Sequence, residues 1–358
     1  MFDYEDILNR KPFSMAKEEK RRLYGQWLTE LTDYHRQHCY KYGRFLKHFM
    51  VGDGGNMEEE EIPMVPVGLF KDMDLKSIPD SRIFKTITSS GTKGQNVSKI
   101  YLDQNTADYQ QRALAKIGAD FFGEERLPFL IMDSPQVLRD RALFSARGAG
   151  ILGFSIFSSR ICYGFDRNMD LDLEGIRSFL ERYKGKKILV FGFTYILWKY
   201  FYYPLKASGI KLDLSNGILF HGGGFKKLES ESVSRQEFNE RLYEVSGIKD
   251  IHNYYGMAEQ TGSIYVECSC GHLHASIYSD IIIRRPEDFS ACSYGEKGIV
   301  QVLSPLARSY PGHSLLTEDE GVVLGEDDCP CGRPGKYFHI TGRIRQAEIR
   351  GCSDTYEG

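Results

Sequence analysis

The chain has 358 residues, a formal net charge of −3 and 41% hydrophobic residues, the make-up of a soluble globular protein with a sizeable core. Charges of both signs are interspersed, so no basic face for nucleic acid is evident, and the length allows one large α/β unit or two to three subdomains. The longest uncharged apolar stretch, residues 188–198, falls short of the roughly 20 needed to span a bilayer, and the start, MFDYEDILNRKPFS, has no apolar signal core. A cytoplasmic protein without a membrane span is expected.

Leu23, Trp27, Leu31 and Tyr34 fall at helical spacing and predict a helix with one apolar face. The acidic run Glu58 to Glu61 reads as a solvated turn. From Phe84 the texture becomes α/β. Thr106 is expected to cap a helix through Tyr109, Ala113 and Ile117. Phe129 to Met132, Ile188 to Phe191 and Gly217 to Phe220 read as buried strands, with a helix on Leu173, Ile176, Leu180 and Tyr183 between the first two. Ser234 and Glu237 have capping-box spacing ahead of Phe238, Leu242 and Val245. This alternation predicts parallel sheets covered by helices, with ligands bound beyond the carboxyl ends of the strands. After about residue 275, short strands near 281–283, 298–303, 322–324 and 337–340 predict a small β-barrel or curled sheet. The expected division is a helical region over 1–80, an α/β core over 81–275, a β-rich subdomain over 276–345 and a tail over 346–358.

Four elements carry chemistry. Ser89, Ser90, Gly91, Thr92, Lys93, Gly94 and Gln95, with Lys99 beyond, put hydroxyls, glycines and ammonium groups into one loop. Backbone N–H groups and hydroxyls of this kind cradle phosphate oxygens, yet no Walker pattern is present. Attack at the α-phosphate of a nucleotide fits this better than transfer of its γ-phosphate. Phe220-His221 then lead into Gly222, Gly223 and Gly224, where the missing Cβ atoms let a flat ring lie against the backbone. In Tyr254-Tyr255-Gly256-Met257-Ala258-Glu259, Tyr255 can stack on a purine, Gly256 permits close approach and Glu259 can hold Mg²⁺ beside phosphate. Last come Asp319, whose carboxylate can accept both hydroxyl hydrogens of a ribose, and Arg343, a partner for phosphate or ribose. Taken singly, each also fits a turn, a core tyrosine or surface polarity.

Cys268 and Cys270, in CSCGH, and Cys329 and Cys331, in CPCGR, form two C-x-C pairs, each followed by glycine. Together they could close a tetrahedral, structural Zn²⁺ site, with His272 or His274 able to replace one thiolate. The alternative is four reduced, unliganded thiols.

In order and spacing these elements resemble the adenylate-forming superfamily, and within it the LuxE-type acyl-protein synthetases, with phenylacetate-CoA ligases as more distant relatives. The resemblance lies in KPFSMAKEEK, VPVGLFKDMDLKSIPDSRIFKTITSSGTKGQNVSKIYLD, ILFHGGGFKKL, NYYGMAEQTGSIYVEC and TGRIRQAEIRGCSDTYE, and it runs over essentially the whole chain. It implies an α/β fold, the large N-terminal domain of adenylate-forming enzymes with helix-covered sheets and a small β-barrel-like subdomain, without the usual C-terminal domain. It also implies ATP and Mg²⁺ as cofactors, and a fatty acid or other carboxylic acid converted to acyl-AMP. The acyl group would pass to a cysteine of the enzyme and on to a partner acyl reductase. Carried over residue by residue, 89–95 would hold phosphates, Gly222 to Gly224 with Tyr255 and Gly256 the adenine, Glu259 the Mg²⁺, Asp319 the ribose and Arg343 the nucleotide. Lys99 or Lys93 would neutralise charge, and Cys352, beside Arg350 and Gly351, would accept the acyl group. The family's usual Y-G-x-T-E has Ala258 in place of the hydroxyl, for which Thr261 is a substitute. Two other readings are an acyl- or aryl-CoA ligase of the phenylacetate type and a non-catalytic, zinc-stapled interaction protein.

Overall fold

The structure is a computed structural model that describes residues 3–52, 55–89, 97–139, 146–225 and 232–344. Among the described residues the helices are α1 (Tyr4–Asn9), α2 (Lys17–His38), α3 (Tyr40–His48), α4 (Leu69–Asp72), α5 (Gln104–Phe122), α6 (Gln136–Arg139), α7 (Ala146–Phe154), α8 (Leu173–Arg182), α9 (Thr194–Ile196), α10 (Tyr203–Ser208) and α11 (Arg235–Ser246). The strands are β1 (Val65–Pro66), β2 (Lys85–Thr88), β3 (Lys99–Leu102), β4 (Leu127–Met132), β5 (Ser158–Tyr163), β6 (Ile188–Phe193), β7 (Gly217–Gly222), β8 (Asp250–Tyr255), β9 (Tyr265–Glu267), β10 (Leu273–His274), β11 (Asp280–Arg284), β12 (Lys297–Leu303), β13 (Ser314–Glu326) and β14 (Lys336–Arg343). No helix among them is long and apolar enough to cross a membrane.

The chain divides into two compact units that interleave along the sequence. The first takes residues 1–89, 93–120 and 256–348; the second takes 90–92, 121–255 and 349–358. The N-terminal helices and the late strands belong to the same unit.

In the first unit, neighbouring strands run β11-β12-β13-β14-β10-β9, antiparallel throughout, and β1 adds to β13 in parallel. β13 is longer than its sequence signal, 13 residues, and its alternating burial gives it one face in the core and one nearer water. The helix predicted on Leu23 to Tyr34 is α2. Glu18 and Glu19 lie in its first turn and His35, Arg36 and His38 in its last, the charge order that suits the helix dipole. The acidic turn contributes to the core as well as to the surface: Glu59 is buried and pairs with Lys336 at 2.7 Å. Lys336 also lies 3.5 Å from Asp280, and Lys20 of α2 reaches Asp280 at 3.4 Å and the Ser279 carbonyl at 2.9 Å. This buried quartet of alternating charge joins α2, the 59–61 turn, β11 and β14. Burial works against the Lys336 charge, but Asp280 and Glu59 outweigh it and raise its pKa.

The second unit is a parallel sheet in the order β8-β7-β6-β4-β5. β4, β6 and β7 are buried along their whole length, which is why they read as continuous apolar runs. α8 begins on Asp172, whose carboxylate accepts from the Gly175 N–H, and α11 on Ser234, whose hydroxyl accepts from the Glu237 N–H as expected. Thr106 is not the cap of α5. Asp103 accepts from the Thr106 N–H at 2.8 Å and the helix has already begun at Gln104. β8, which carries the two tyrosines, gave no strand signal in the sequence, because Asp250, His252 and Asn253 interrupt its apolar pattern.

Candidate active site

In the first unit β2 and β3 form a hairpin that flanks the phosphate-type stretch of the sequence. Thr88 faces Lys99, and the next pair closes the neck: the Ser89 N–H donates to the Ser98 carbonyl at 3.1 Å and the Ser98 N–H to the Ser89 hydroxyl at 2.9 Å. Ser90, Gly91, Thr92, Lys93 and Gly94 lie outside the described residues. Lys99 opens β3 with its side chain exposed.

Ser98 ties this loop to Glu259. Glu259 sits in a short 3₁₀ turn, Ala258–Gln260, and is buried. Burial raises its carboxyl pKa, while Ser98, the turn's own backbone and Lys71 pull it down and Glu318 adds to the rise. The Ser98 hydroxyl is close enough to act on the carboxyl yet makes no hydrogen bond of ordinary geometry among the described residues. Among the described residues Glu259, a buried carboxylate, makes no ion pair, and the buried Ser98 hydroxyl stands beside it. That combination suits a hard cation, which takes oxygen ligands and removes the cost of burying a lone charge.

The turn is held from behind. Gln260 donates to the Val302 carbonyl at 3.1 Å and the Gly312 carbonyl at 2.9 Å, and the Tyr310 hydroxyl donates to the Glu259 carbonyl at 2.7 Å. Gly256 is packed closely as well: a Cβ there would lie 3.1 Å from Ile264 Cγ2. Thr261 donates to the Ala258 carbonyl at 2.9 Å, so its hydroxyl is committed to the turn in this conformation.

Asp319 and Arg343 face each other across β13 and β14. Arg343 Nε donates to Asp319 Oδ1 at 3.3 Å, and its Nη2 lies 3.9 Å from Glu318 Oε2. Lys71 of α4 reaches Glu318 at 3.6 Å. A line of polar groups thus runs from the loop neck through Glu259 to Lys71, Glu318, Arg343 and Asp319. Sequence reasoning missed Ser98 and Lys71. Lys71 follows the apolar Val67-Gly68-Leu69-Phe70 segment, and nothing local marks which way it faces.

In the second unit the glycine run ends β7. A Cβ on Gly222 would lie 2.7 Å from Tyr254 Cε1, and Gly223 has φ +74°, a left-handed conformation that favours glycine. Among the described residues nothing lies within 4 Å of the Cβ position of Gly224. Thr194 fixes this strand end: its hydroxyl donates to the Gly223 carbonyl at 2.6 Å and lies 2.9 Å from His221 Nδ1. Burial, with His252 and Arg235, pushes the His221 pKa down to about 3, so the ring is neutral. Half-buried Tyr255 closes β8. These residues lie at the carboxyl edge of a parallel sheet, where open α/β sheets take their ligands.

The cysteines gather at the turns of the first unit's sheet. Cys268, Cys329 and Cys331 meet His274, their ligand atoms all within 4.8 Å of one another. Cys270, expected as the fourth thiolate, is exposed and stands outside this group; His274, weighed as a replacement, takes that place. Cys352 lies outside the described residues.

The fold is that of the adenylate-forming ligases. The chain superposes on 2-hydroxyisobutyryl-CoA ligase, solved with 2-HIB-AMP and CoA, with a TM-score of 0.70 over 93% of this chain and 72% of that one, at 16% identity. The thioesterification state of the same ligase also gives 0.70, over 96% and 74%. A family model described as acyl-protein synthetase, LuxE, matches residues 3–357, and the chain belongs to that family. Two curated relatives are long-chain-fatty-acid–luciferin-component ligases. That of Vibrio harveyi is 22% identical, over 96% of this chain and 89% of its own. That of Aliivibrio fischeri is 24% identical, over 97% and 91%. The protein is an ATP-dependent, AMP-forming ligase that activates an acyl group by adenylation.

Proposed function

We propose that this ligase adenylates a long-chain fatty acid and takes the acyl group onto its own Cys352 thiol, for delivery to a partner acyl reductase. In the first step a carboxylate oxygen attacks the α-phosphate of ATP, giving acyl-AMP and releasing pyrophosphate. In the second the Cys352 thiolate attacks the acyl carbon and AMP leaves. The site must bring two anions together, so cationic groups aimed at the phosphates lower the barrier by offsetting their repulsion. Lys99 or Lys93 and Arg343 would serve this end, and Mg²⁺, held by Glu259, would neutralise phosphate charge.

The observation that carries the adenylation site is Glu259: buried, without an ion pair among the described residues, and beside Ser98 at the neck of the 89–98 loop. Asp319 would take the ribose hydroxyls once its pairing with Arg343 opens. Gly222 to Gly224 and Tyr255 would receive the adenine. The fatty acid follows from the names of the two curated relatives. The part given to Cys352 rests on the family and on Arg350, two residues earlier in the sequence, whose charge would favour a thiolate.

The test is incubation with ATP, Mg²⁺ and labelled fatty acid, followed by hydroxylamine. Label on the protein that hydroxylamine removes is the expected result, lost in Cys352→Ser while ATP–pyrophosphate exchange persists. Equal labelling of Cys352→Ser overturns the acceptor. AMP production that needs CoA, with no protein-bound thioester, replaces the reading by a CoA ligase.

A further inference from the structure

The structure assigns a metal site to Cys268, His274, Cys329 and Cys331: a tetrahedral Cys₃His centre for Zn²⁺, sharing no residue with the candidate adenylation site, with Cys270 excluded. Ideal bond lengths of about 2.3 Å to sulfur and about 2.05 Å to nitrogen place tetrahedral ligand atoms about 3.8 Å apart for S···S and about 3.6 Å for S···N. Cys268 Sγ lies 4.0 Å from Cys329 Sγ, and Cys331 Sγ lies 3.3 Å from His274 Nε2. The first separation is about twice a disulfide bond, so this pair is not a bridge. Every cysteine among the described residues is free.

The backbone is built for ligation. Two knuckles present the thiolates: the Gly271 N–H donates to the Cys268 carbonyl and the Gly332 N–H to the Cys329 carbonyl, each at 2.9 Å. Gly271 at φ +84° and Gly332 at φ +79° take the left-handed turn each knuckle needs. Pairing of β10 with β14 sets His274 opposite Tyr337 and so brings the imidazole to the 329–331 turn. Phe13 lies edge-on to His274, and Tyr337 stacks on both His272 and His274.

His272 acts from outside the centre. Its Nδ1 lies 3.3 Å from Cys329 Sγ and can donate to the bound thiolate. Such outer contacts hold a ligand's orientation, and losing one weakens metal binding by about 10–100-fold. Cys270 is exposed and is not part of this group of ligand atoms. Thiolate donors select a soft or borderline cation, and tetrahedral sulfur-rich geometry selects zinc.

Zinc content of the purified full chain by plasma mass spectrometry, with X-ray absorption at the zinc edge, tests the assignment. One zinc per chain with three sulfur and one nitrogen ligands is expected. Cys270→Ser should keep the metal, His272→Ala should bind it 10–100-fold more weakly, and His274→Ala should lose it. If His274→Ala does not fold, the ligand count from the wild type decides alone. A protein that neither carries zinc nor takes it up overturns the assignment. So does a four-sulfur shell, or loss of zinc from Cys270→Ser. None of these readouts depends on ligase activity, so failure here leaves the proposed reaction standing, and the reverse.

Discussion

At the scale of single residues, burial decides what each titratable group can do. Glu259 has its pKa raised by burial above the 4.5 of a free glutamate. It loses its charge as pH falls through that raised value, so ATP–pyrophosphate exchange should fade on acidification earlier than for a solvent-exposed carboxylate. Glu259→Gln, which keeps the shape and removes the charge, should lower the exchange rate by about 100-fold, the scale of losing one charge-stabilising group. A second effect is structural. His35 and His313 are both fully buried, with ring centroids 5.0 Å apart, and burial holds both pKa values down, His313 to about 3. Their neutral forms suit the fold, whereas both rings titrate near 6.5 once unfolded. The stability is therefore complete above pH 6.5 and drains away as pH falls below it, for His313 by about 2 kcal/mol at pH 5. Urea unfolding followed between pH 7 and 5 checks this, and His313→Gln should make the slope shallower.

At the scale of elements, the Ala258–Gln260 turn depends on partners far away in the chain. Gln260→Ala strands the carbonyls of Val302 and Gly312, so it should cost about 2 kcal/mol in urea unfolding. Because Gln260 adjoins Glu259, exchange activity should drop with it. The sequence carried enough to find α2, β4, α8, β6, β7 and α11, since each has a period, a continuous apolar run or a cap within a few residues. It also displayed the glycine run, the Tyr-Gly-x-x-Glu element and both cysteine knuckles. It could not tell that Asp103 rather than Thr106 starts α5, because both residues can cap and only the fold selects one. Nor could it choose His274 over Cys270. That choice rests on the pairing of β10 with β14, which joins residues more than sixty positions apart. Lys71 and Ser98 were hidden for the same reason: their chemistry comes from what they face.

At the scale of the whole molecule, the two units draw on interleaved stretches of chain, which no shift in composition announces. The second unit's sheet is contained between residues 127 and 255, whereas the first requires β13 and β14 before β1 and α2 have their partners. The buried quartet of Lys20, Glu59, Asp280 and Lys336 shows how tightly those distant stretches are bound. Lys336→Met leaves Glu59 without its 2.7 Å partner and should destabilise the first unit by about 3–5 kcal/mol, read as a fall in unfolding midpoint. Replacing Glu59 together with Lys336 by apolar residues of similar volume should recover much of that loss. The consequence reaches beyond any one molecule. No single step out of this arrangement is neutral, so the four positions form one heritable character. Descendants of this chain should retain all four charges or exchange them in compensated pairs, and intermediates with an odd charge left inside should be rare.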